Sequence, residues 1–167
     1  ETLECWDIAL RSDKTPSIIA LSRQKVPYIN QKNSKENRCE KGAYVVNITS
    51  HESNVTIIAS GTEVELALKV QEKLKESNVH SKVVSMPCIE LFDKQQEDFR
   101  NDIIEQNSLI VTIEAGSIMS WQKFIKNKGL NLGIDKFGES APYKEVYNHF
   151  DLSEEKIVDF IQKKLRE

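Results

Sequence analysis

The stretch 55–79, VTIIASGTEVELALKVQEKLKESNV, decides the fold. Its first five residues form a short apolar run rich in β-branched side chains, which predicts a strand buried on both faces. Ser60 and Gly61 then turn the chain. Thr62 and Glu65 match a capping box that starts a helix, and the apolar residues after Thr62 fall on one broad arc. A buried strand followed by an amphipathic helix indicates an α/β protein whose helix packs on a sheet.

The rest of the chain alternates strand and helix signals. The further predicted strands are residues 42–47, 80–85, 109–113 and 130–134. The further predicted helices are residues 93–104, 118–125, 143–150 and 153–165. Alternation of this kind indicates right-handed crossover connections and a mainly parallel sheet with helices on both faces.

The strand at 42–47 is the exception to this parallel arrangement. The polar turn between it and the strand at 55–59 is too short for a crossover helix, so we predict that these two strands form an antiparallel hairpin. The predicted fold class is therefore α/β. It is a three-layer αβα domain whose mainly parallel, five-stranded sheet carries one antiparallel edge strand.

The first forty or so residues form a separate region. Residues 3–12 are typical of a helix, residues 17–21 predict a short strand, and the polar stretch 25–41 is typical of a linker. Because the helical pattern already runs at Glu1 without a cap, we expect the chain to be part of a longer protein. The predicted divisions are a leader (residues 1–27), a linker (residues 28–41) and a sheet domain (residues 42–167).

Composition excludes several classes of protein. The 167 residues carry a formal net charge of −3 with mixed signs, which argues against a nucleic-acid-binding surface. No apolar run approaches the roughly 20 residues that span a bilayer, so we predict a soluble, cytoplasmic protein without membrane contacts. Cys5, Cys39 and Cys88 are odd in number and far apart in sequence, so we predict reduced thiols rather than a disulfide framework or a zinc site.

The carboxyl ends of the predicted strands are the usual place for a ligand in an open parallel sheet. A helix that starts after Gly61 can bind an anion, although capping and packing explain this turn better. Glu114 and Asp135 lie where catalytic carboxylates are often placed, yet no nucleophile, metal-ligand spacing or paired acid accompanies them. This favours hydrogen bonding to the local backbone or to a subunit neighbour. The rim of candidate residues is Ser60, Gly61, Thr62, Met86, Pro87, Glu114, Ala115, Gly116 and Asp135.

The remaining histidines and aromatic residues carry weaker signals. His51, His80 and His149 belong to no metal-ligand spacing, so packed or solvated side chains are the better interpretation. One face of the predicted helix at 118–125 carries Trp121, Phe124 and Ile125. Core packing and a subunit interface use the same residue types, so the sequence does not separate these two interpretations.

Arg23 is the most informative single residue in the leader. It follows the predicted strand at 17–21, and its guanidinium suits a phosphate or a carboxylate. From the residues alone, a substrate-binding role and a surface ion pair both stay open.

Six segments together resemble the carboxyl-terminal portion of transketolase, from residue 2 to the end of the chain. They are TPSIIALSRQKVP, GAYVV, IIASGTEVELAL, KVVSMPCIELFDKQ, IEAGSIMSWQKF and GIDKFGESAPYKEVY, in this order and spacing. Deoxyxylulose-phosphate synthases and ketoacid dehydrogenase β subunits share the domain fold. The SRQ and FGxSAP motifs speak against both of these alternatives.

The resemblance implies an enzyme that moves a two-carbon ketol unit from a ketose phosphate to an aldose phosphate. It implies thiamine diphosphate with a divalent cation (Mg or Ca), and a homodimer. Arg23 matches the family's arginine that binds the substrate phosphate. The leader resembles the end of the pyrimidine-binding domain, and the sheet domain resembles the third domain, which carries no catalytic residues.

The family's other catalytic parts have no match in this sequence. No GDG motif with a following Asn, no cofactor-binding glutamate segment and none of the family's active-site histidines is present. We therefore predict an inactive fragment with a structural or dimerisation role and no bound cofactor. The alternative is an autonomous binding or regulatory module with an anion site at the rim. We also expect a mobile or non-natively docked leader, because Leu3, Trp6 and Leu10 lack their parent domain.

Overall fold

The computed structural model describes residues 1–29, 36–125 and 129–167. Within these residues one sheet has five strands in the order β1-β3-β2-β4-β5. Strand β1 is antiparallel to β3, and the other neighbouring pairs are parallel. This confirms the predicted sheet. The strands are β1 (Tyr44–Ile48), β2 (Val55–Ala59), β3 (Ser81–Ser85), β4 (Leu109–Ile113) and β5 (Leu130–Leu132).

Helices cover both faces of the sheet. The α-helices are α1 (Thr2–Arg11), α2 (Glu63–Glu76), α3 (Ile89–Asp93), α4 (Glu97–Ile103), α5 (Tyr143–His149) and α6 (Glu154–Leu165). Two 3₁₀ helices span Arg38–Lys41 and Ile118–Phe124. The helix predicted at 93–104 corresponds to α4, which starts only at Glu97 because the separate helix α3 ends at Asp93. Gln95 lies between these two helices, and its side-chain amide donates to the Leu91 carbonyl at 2.8 Å.

The core has two apolar layers, one on each side of the sheet. Along β2, Val55, Ile57 and Ala59 belong to the layer under α2 and α6, whereas Ile58 belongs to the layer under α3, α4 and Trp121. All five residues of β2 are buried, as the apolar run predicted. Two covered faces confirm the three-layer αβα arrangement.

The predicted hairpin is wrong, because β1 pairs with β3 rather than with β2. β2 is fully buried and is flanked on both sides by parallel strands, so no edge is open for β1 beside it. The turn after β1 crosses the start of β3 instead. Thr49 N donates to the Ser81 carbonyl at 3.1 Å, and Asn54 N donates to the His80 carbonyl at 2.9 Å.

The predicted capping box at the start of α2 is also wrong. Thr62 already has helical backbone angles, and its hydroxyl donates to the Glu63 carboxylate at 2.8 Å instead of capping the helix. Gly61 makes the turn with a φ of +54°, a conformation that suits glycine. Glu65 forms an ion pair with Lys69 at 2.8 Å.

The leader contains α1 but not the predicted strand. Residues 17–21 form no strand, and Ile18 is 97% exposed, because this segment pairs with neither edge of the described sheet. α1 contacts the 3₁₀ helix Arg38–Lys41, while Leu3 and Leu10 point to solvent. Residues 30–35 of the predicted linker lie outside the described residues. The domain boundaries and the mobility of the leader stay predictions.

Candidate functional site

The ends of β2 and β4 bring two of the predicted rim residues together. Ala59 and Ile113 are paired across these parallel strands, so Ser60 and Glu114 follow at the same edge. The Glu114 carboxylate accepts hydrogen bonds from Ser60 Oγ at 3.4 Å and from Trp121 Nε1 at 3.2 Å. The carboxylate that sequence places at a strand end therefore lies between the turn before α2 and the 3₁₀ helix Ile118–Phe124.

A groove of about 300 Å³ lies at this edge of the sheet. Its walls come from the ends of β2, β3 and β4, as expected for the carboxyl edge of parallel strands. The rim residues predicted from the sequence that line it are Ser60, Met86, Pro87, Glu114 and Gly116.

A second carboxylate, which sequence analysis missed, is buried beside this groove. Glu63 is only 5% exposed and accepts hydrogen bonds from the Thr62 hydroxyl at 2.8 Å and from the Tyr147 hydroxyl. Burial, and then the neighbouring Glu63, raise the pKa of Tyr147. Glu63 and Tyr147 are far apart in sequence, so only the packing of α5 against α2 brings them together.

The two carboxylates make this edge unsuitable for an anion. Burial first, and the charge of Glu63 second, raise the pKa of Glu114, while hydrogen bonds from Trp121 and Ser60 oppose the rise. An anion in the groove would meet the partly buried carboxyl group of Glu114, with Glu63 close enough to act on the pKa of Glu114. Like charges repel strongly in such a partly desolvated setting. The turn at Gly61 is explained by its positive φ and the start of α2, so the geometry does not favour the predicted alternative of an anion site.

Asp135 has a local structural task. Its carboxylate accepts hydrogen bonds from Ser117 Oγ at 2.9 Å and from Ile118 N at 3.1 Å. It therefore holds the first turn of the 3₁₀ helix to the end of the sheet. This confirms the interpretation of Asp135 as a locally hydrogen-bonded residue.

The three histidines lie apart from one another and from the groove. His51 is exposed in the turn after β1, and the His80 amide donates to Asn54 Oδ1 at 3.0 Å. The His149 ring packs edge-on against Phe150 with ring centroids 4.8 Å apart. Across residues 1–29, 36–125 and 129–167, no group of His, Cys, Asp and Glu side chains could hold a metal ion.

The aromatic face predicted at 121–125 packs inward. Trp121 is buried and lies with its ring centroid 6.1 Å from that of Phe124, which in turn lies 6.0 Å from Phe92. Ile125 joins the same layer. Core packing therefore accounts for these residues, while their use at a subunit interface stays untested.

Arg23 lies in an exposed part of the leader without helix or strand. It forms no ion pair with any residue in the described part of the chain. The structure thus gives no surface ion pair to explain it. Its phosphate-binding role stays a prediction.

Comparison with known proteins shows a match to one family model. Residues 42–153 match the family model of the transketolase-like C-terminal domain. The chain belongs to the transketolase family. The match confirms the family that the sequence motifs indicated, and it covers most of the sheet domain.

Individual transketolases match over nearly the whole chain. Transketolase from Rhodobacter capsulatus is 37% identical over 163 residues, which covers 94% of this chain and 24% of that protein. The structure of transketolase from Leishmania mexicana matches with a TM-score of 0.88 and 32% identity, covering 99% of this chain and 24% of that one. Transketolase from Pichia stipitis, solved in complex with sedoheptulose 7-phosphate, matches with a TM-score of 0.87 and 27% identity, with the same coverage.

This chain spans about a quarter of the length of the transketolases it matches. Among the described residues, no helix has the length and apolar character needed to cross a membrane. The cytoplasmic location of the protein stays a prediction.

Proposed function

We propose that this chain is the C-terminal part of a transketolase. In the complete enzyme, a two-carbon ketol unit passes from a ketose phosphate to an aldose phosphate with thiamine diphosphate and a divalent cation (Mg or Ca). The observation that carries the proposal is the match of residues 42–153 to the transketolase C-terminal domain. The transketolase from Pichia stipitis that carries sedoheptulose 7-phosphate supports a sugar phosphate as substrate.

The cofactor does not fit the residues described in this chain. The candidate groove carries Glu114 with Glu63 beside it, and these carboxyl groups would repel a diphosphate. The oxygens of these carboxyl groups already accept hydrogen bonds from Ser60, Trp121 and Tyr147. Thiamine diphosphate and its cation therefore belong to other parts of the complete enzyme, and this chain alone has no transferase activity.

The role of the chain is to support the assembly of the enzyme. The well-packed sheet domain provides a rigid unit, and α1 presents Leu3, Trp6 and Leu10 at its exposed surface. Apolar side chains exposed together on one helix are typical of a surface that another part of a protein covers. In the complete enzyme, a second transketolase subunit completes a homodimer.

The experiment that tests this proposal is a coupled transketolase assay on the 167-residue chain with thiamine diphosphate and magnesium. Calorimetry on the same sample measures cofactor binding. We expect neither turnover nor binding, whereas a complete transketolase run in parallel shows both. Turnover or cofactor binding by this chain alone would contradict the proposed scaffold role and would make Glu114 the first residue to substitute.

Arg23 is proposed to bind the substrate phosphate in the complete enzyme. Its exposure and the lack of an ion pair with the described residues leave the guanidinium available for a phosphate. A hydrogen bond to a charged group contributes about 1.5–3 kcal/mol, so Arg23→Ala should raise KM for a phosphorylated sugar by about 10- to 100-fold. Kinetics with an unphosphorylated sugar should change far less.

The matched control for this substitution is Lys25→Ala. Lys25 is another exposed cation of the same segment, so its loss reports the general effect of removing a positive charge. Equal effects of the two substitutions, or an equal loss with the unphosphorylated sugar, would argue against a phosphate-binding role for Arg23.

A further inference from the structure

Polar contacts hold the start of α1 against β1 and against the first of the two 3₁₀ helices. Asn37 Nδ2 donates to the Glu4 carbonyl at 2.8 Å, and Arg38 N donates to Glu4 Oε1 at 3.2 Å. Just before α1, the Glu1 carboxylate accepts a hydrogen bond from the Tyr44 hydroxyl at 2.9 Å. The start of α1 is thus held through two carboxylates and a backbone carbonyl.

The end of α1 is held by an exposed group of charges. Arg11 Nη1 donates to Glu40 Oε1 at 3.2 Å, and Arg11 Nη2 pairs with Asp7 Oδ2 at 2.6 Å. More than half of each of these three side chains is exposed. Ion pairs between exposed side chains are weak, and salt screens them further. The contact at this end of α1 should therefore depend on the ionic strength.

Apolar burial on the side of α1 adds little to this contact. No residue of α1 is fully buried, and its large apolar side chains Leu3 and Leu10 are exposed. An isolated helix of this length is only marginally stable in water. We therefore expect the helical state of α1 to depend on its polar contacts with the sheet domain.

The first 3₁₀ helix, by contrast, is firmly attached to the sheet domain. Cys39, which is a free thiol, is 1% exposed. The Arg38 guanidinium lies 4.9 Å from the centre of the Tyr44 ring in β1, and Lys41 Nζ lies 4.7 Å from the centre of the Phe99 ring in α4. If α1 detaches, this 3₁₀ helix should stay in place, so the weak junction is the surface that it shares with α1.

We propose that these contacts form a salt-sensitive clamp, which releases α1 from the sheet domain at high ionic strength while the sheet domain stays folded. Inside that domain, the Lys82 ammonium in β3 pairs with the Glu105 carboxylate at 3.3 Å, and the Lys82 side chain is buried. Salt screens a buried pair much less than an exposed one. The clamp therefore opens before the core responds to salt. The fold thus contains a joint at which the leader can change its position.

The test is amide hydrogen exchange of the 167-residue chain, measured by mass spectrometry at about 0.05 M and about 1 M NaCl. Exchange in α1 should be roughly three- to tenfold faster at the higher salt concentration, while exchange in α2 changes by less than about twofold. Residues 17–21, which form neither helix nor strand, report the effect of salt on the exchange of unstructured backbone.

A substitution at Glu40 tests the clamp without altering the sequence of α1. Glu40→Gln removes the partner of Arg11, so it should speed exchange in α1 by roughly two- to fivefold at low salt and should reduce the effect of salt. Glu72→Gln removes the same charge from the exposed face of α2 and should leave exchange in α1 as it is in the parent chain. Equal effects of the two substitutions on α1 would contradict the proposal.

Three further results would overturn the clamp. Exchange in α1 that is slow and independent of salt would mean that apolar packing holds the helix. Exchange in α1 as fast as that of residues 17–21 already at low salt would mean that the helix is not docked. Equal acceleration of α1 and α2 by salt would mean that salt acts on the whole fold rather than on this contact.

Discussion

The leader and the sheet domain contain the same kinds of apolar side chain, but only the sheet domain buries them. Leu74 in α2 is completely buried, whereas Leu10 in α1 is 78% exposed. Each strand of the sheet has a hydrogen-bonded neighbour from the same chain, and helices cover both faces. The leader has α1 on a short 3₁₀ helix and then an exposed segment. An apolar pattern therefore predicts buried structure only where the same chain supplies the covering elements.

The largest expected difference between the two regions is in stability. Leu74→Ala leaves a cavity in the core, so it should lower the free energy of unfolding by about 2–5 kcal/mol. Leu10→Ala makes the same change on an exposed helix face and should alter it by less than about 0.5 kcal/mol. Urea unfolding followed by circular dichroism measures both values. Similar losses for the two variants would show that the leader is packed as firmly as the core, and would break the comparison.

The same contrast explains how much of the fold was predictable. The apolar run at β2 correctly predicted burial on both faces, because that signal is local. The partner of β1 was not predictable from the short turn before β2, because its pairing depends on β3, which comes later in the chain. The strand predicted at 17–21 failed for a related reason, since a strand needs an edge to pair with and its residues reach neither edge of the described sheet.

The candidate site also contains one residue pair that was predictable from the sequence and one residue that was not. Ser60 and Glu114 were predictable neighbours, because parallel strands that pair in register end at one edge. Glu63 was missed, because an acidic residue in the first turn of a helix ordinarily indicates an exposed position that interacts with the helix dipole. Its burial depends on the Tyr147 hydroxyl in α5, and no local pattern in either helix records that contact.

A smaller effect on stability is expected from a substitution at Glu114. This residue is partly buried, so its burial lies between that of Leu74 and that of Leu10. Burial, then the charge of Glu63, raise its pKa above the ordinary value of 4.5. A carboxyl with a raised pKa in the folded chain favours folding below its unfolded pKa and loses that contribution as the pH rises through the folded pKa. Glu114→Gln should therefore gain stability relative to the parent chain as the pH rises above the ordinary carboxyl pKa of 4.5.

Thermal unfolding at several pH values measures this gain. Glu72→Gln on the exposed face of α2 controls for the loss of one negative charge. If the difference between Glu114→Gln and the parent chain stayed constant with pH, or fell as the pH rose, the desolvated carboxyl pair at the rim would be the wrong description of this site.

The smallest effect on stability is expected from a substitution at Glu65, a half-buried position at the edge of the outer face of α2. Its carboxylate forms an ion pair with Lys69, and the Thr62 side chain does not cap the helix. Glutamine can replace glutamate in a capping box but not in an ion pair. Glu65→Gln should therefore lower the free energy of unfolding by about 0.3–0.5 kcal/mol at low salt, and this loss should vanish near 1 M NaCl.

A double-mutant cycle of Glu65→Gln with Lys69→Gln isolates the pair, because each substitution removes one charge of the same contact. A coupling close to zero at low salt would mean that the ion pair contributes nothing to stability. A small coupling here, beside a large loss at Leu74 in the same helix, would show that burial and not membership of the sheet domain determines what a side chain contributes. Side chains on the outer face of α2 would then contribute as little to stability as the exposed side chains of the leader. The burial of each residue, rather than the region that contains it, would determine its contribution.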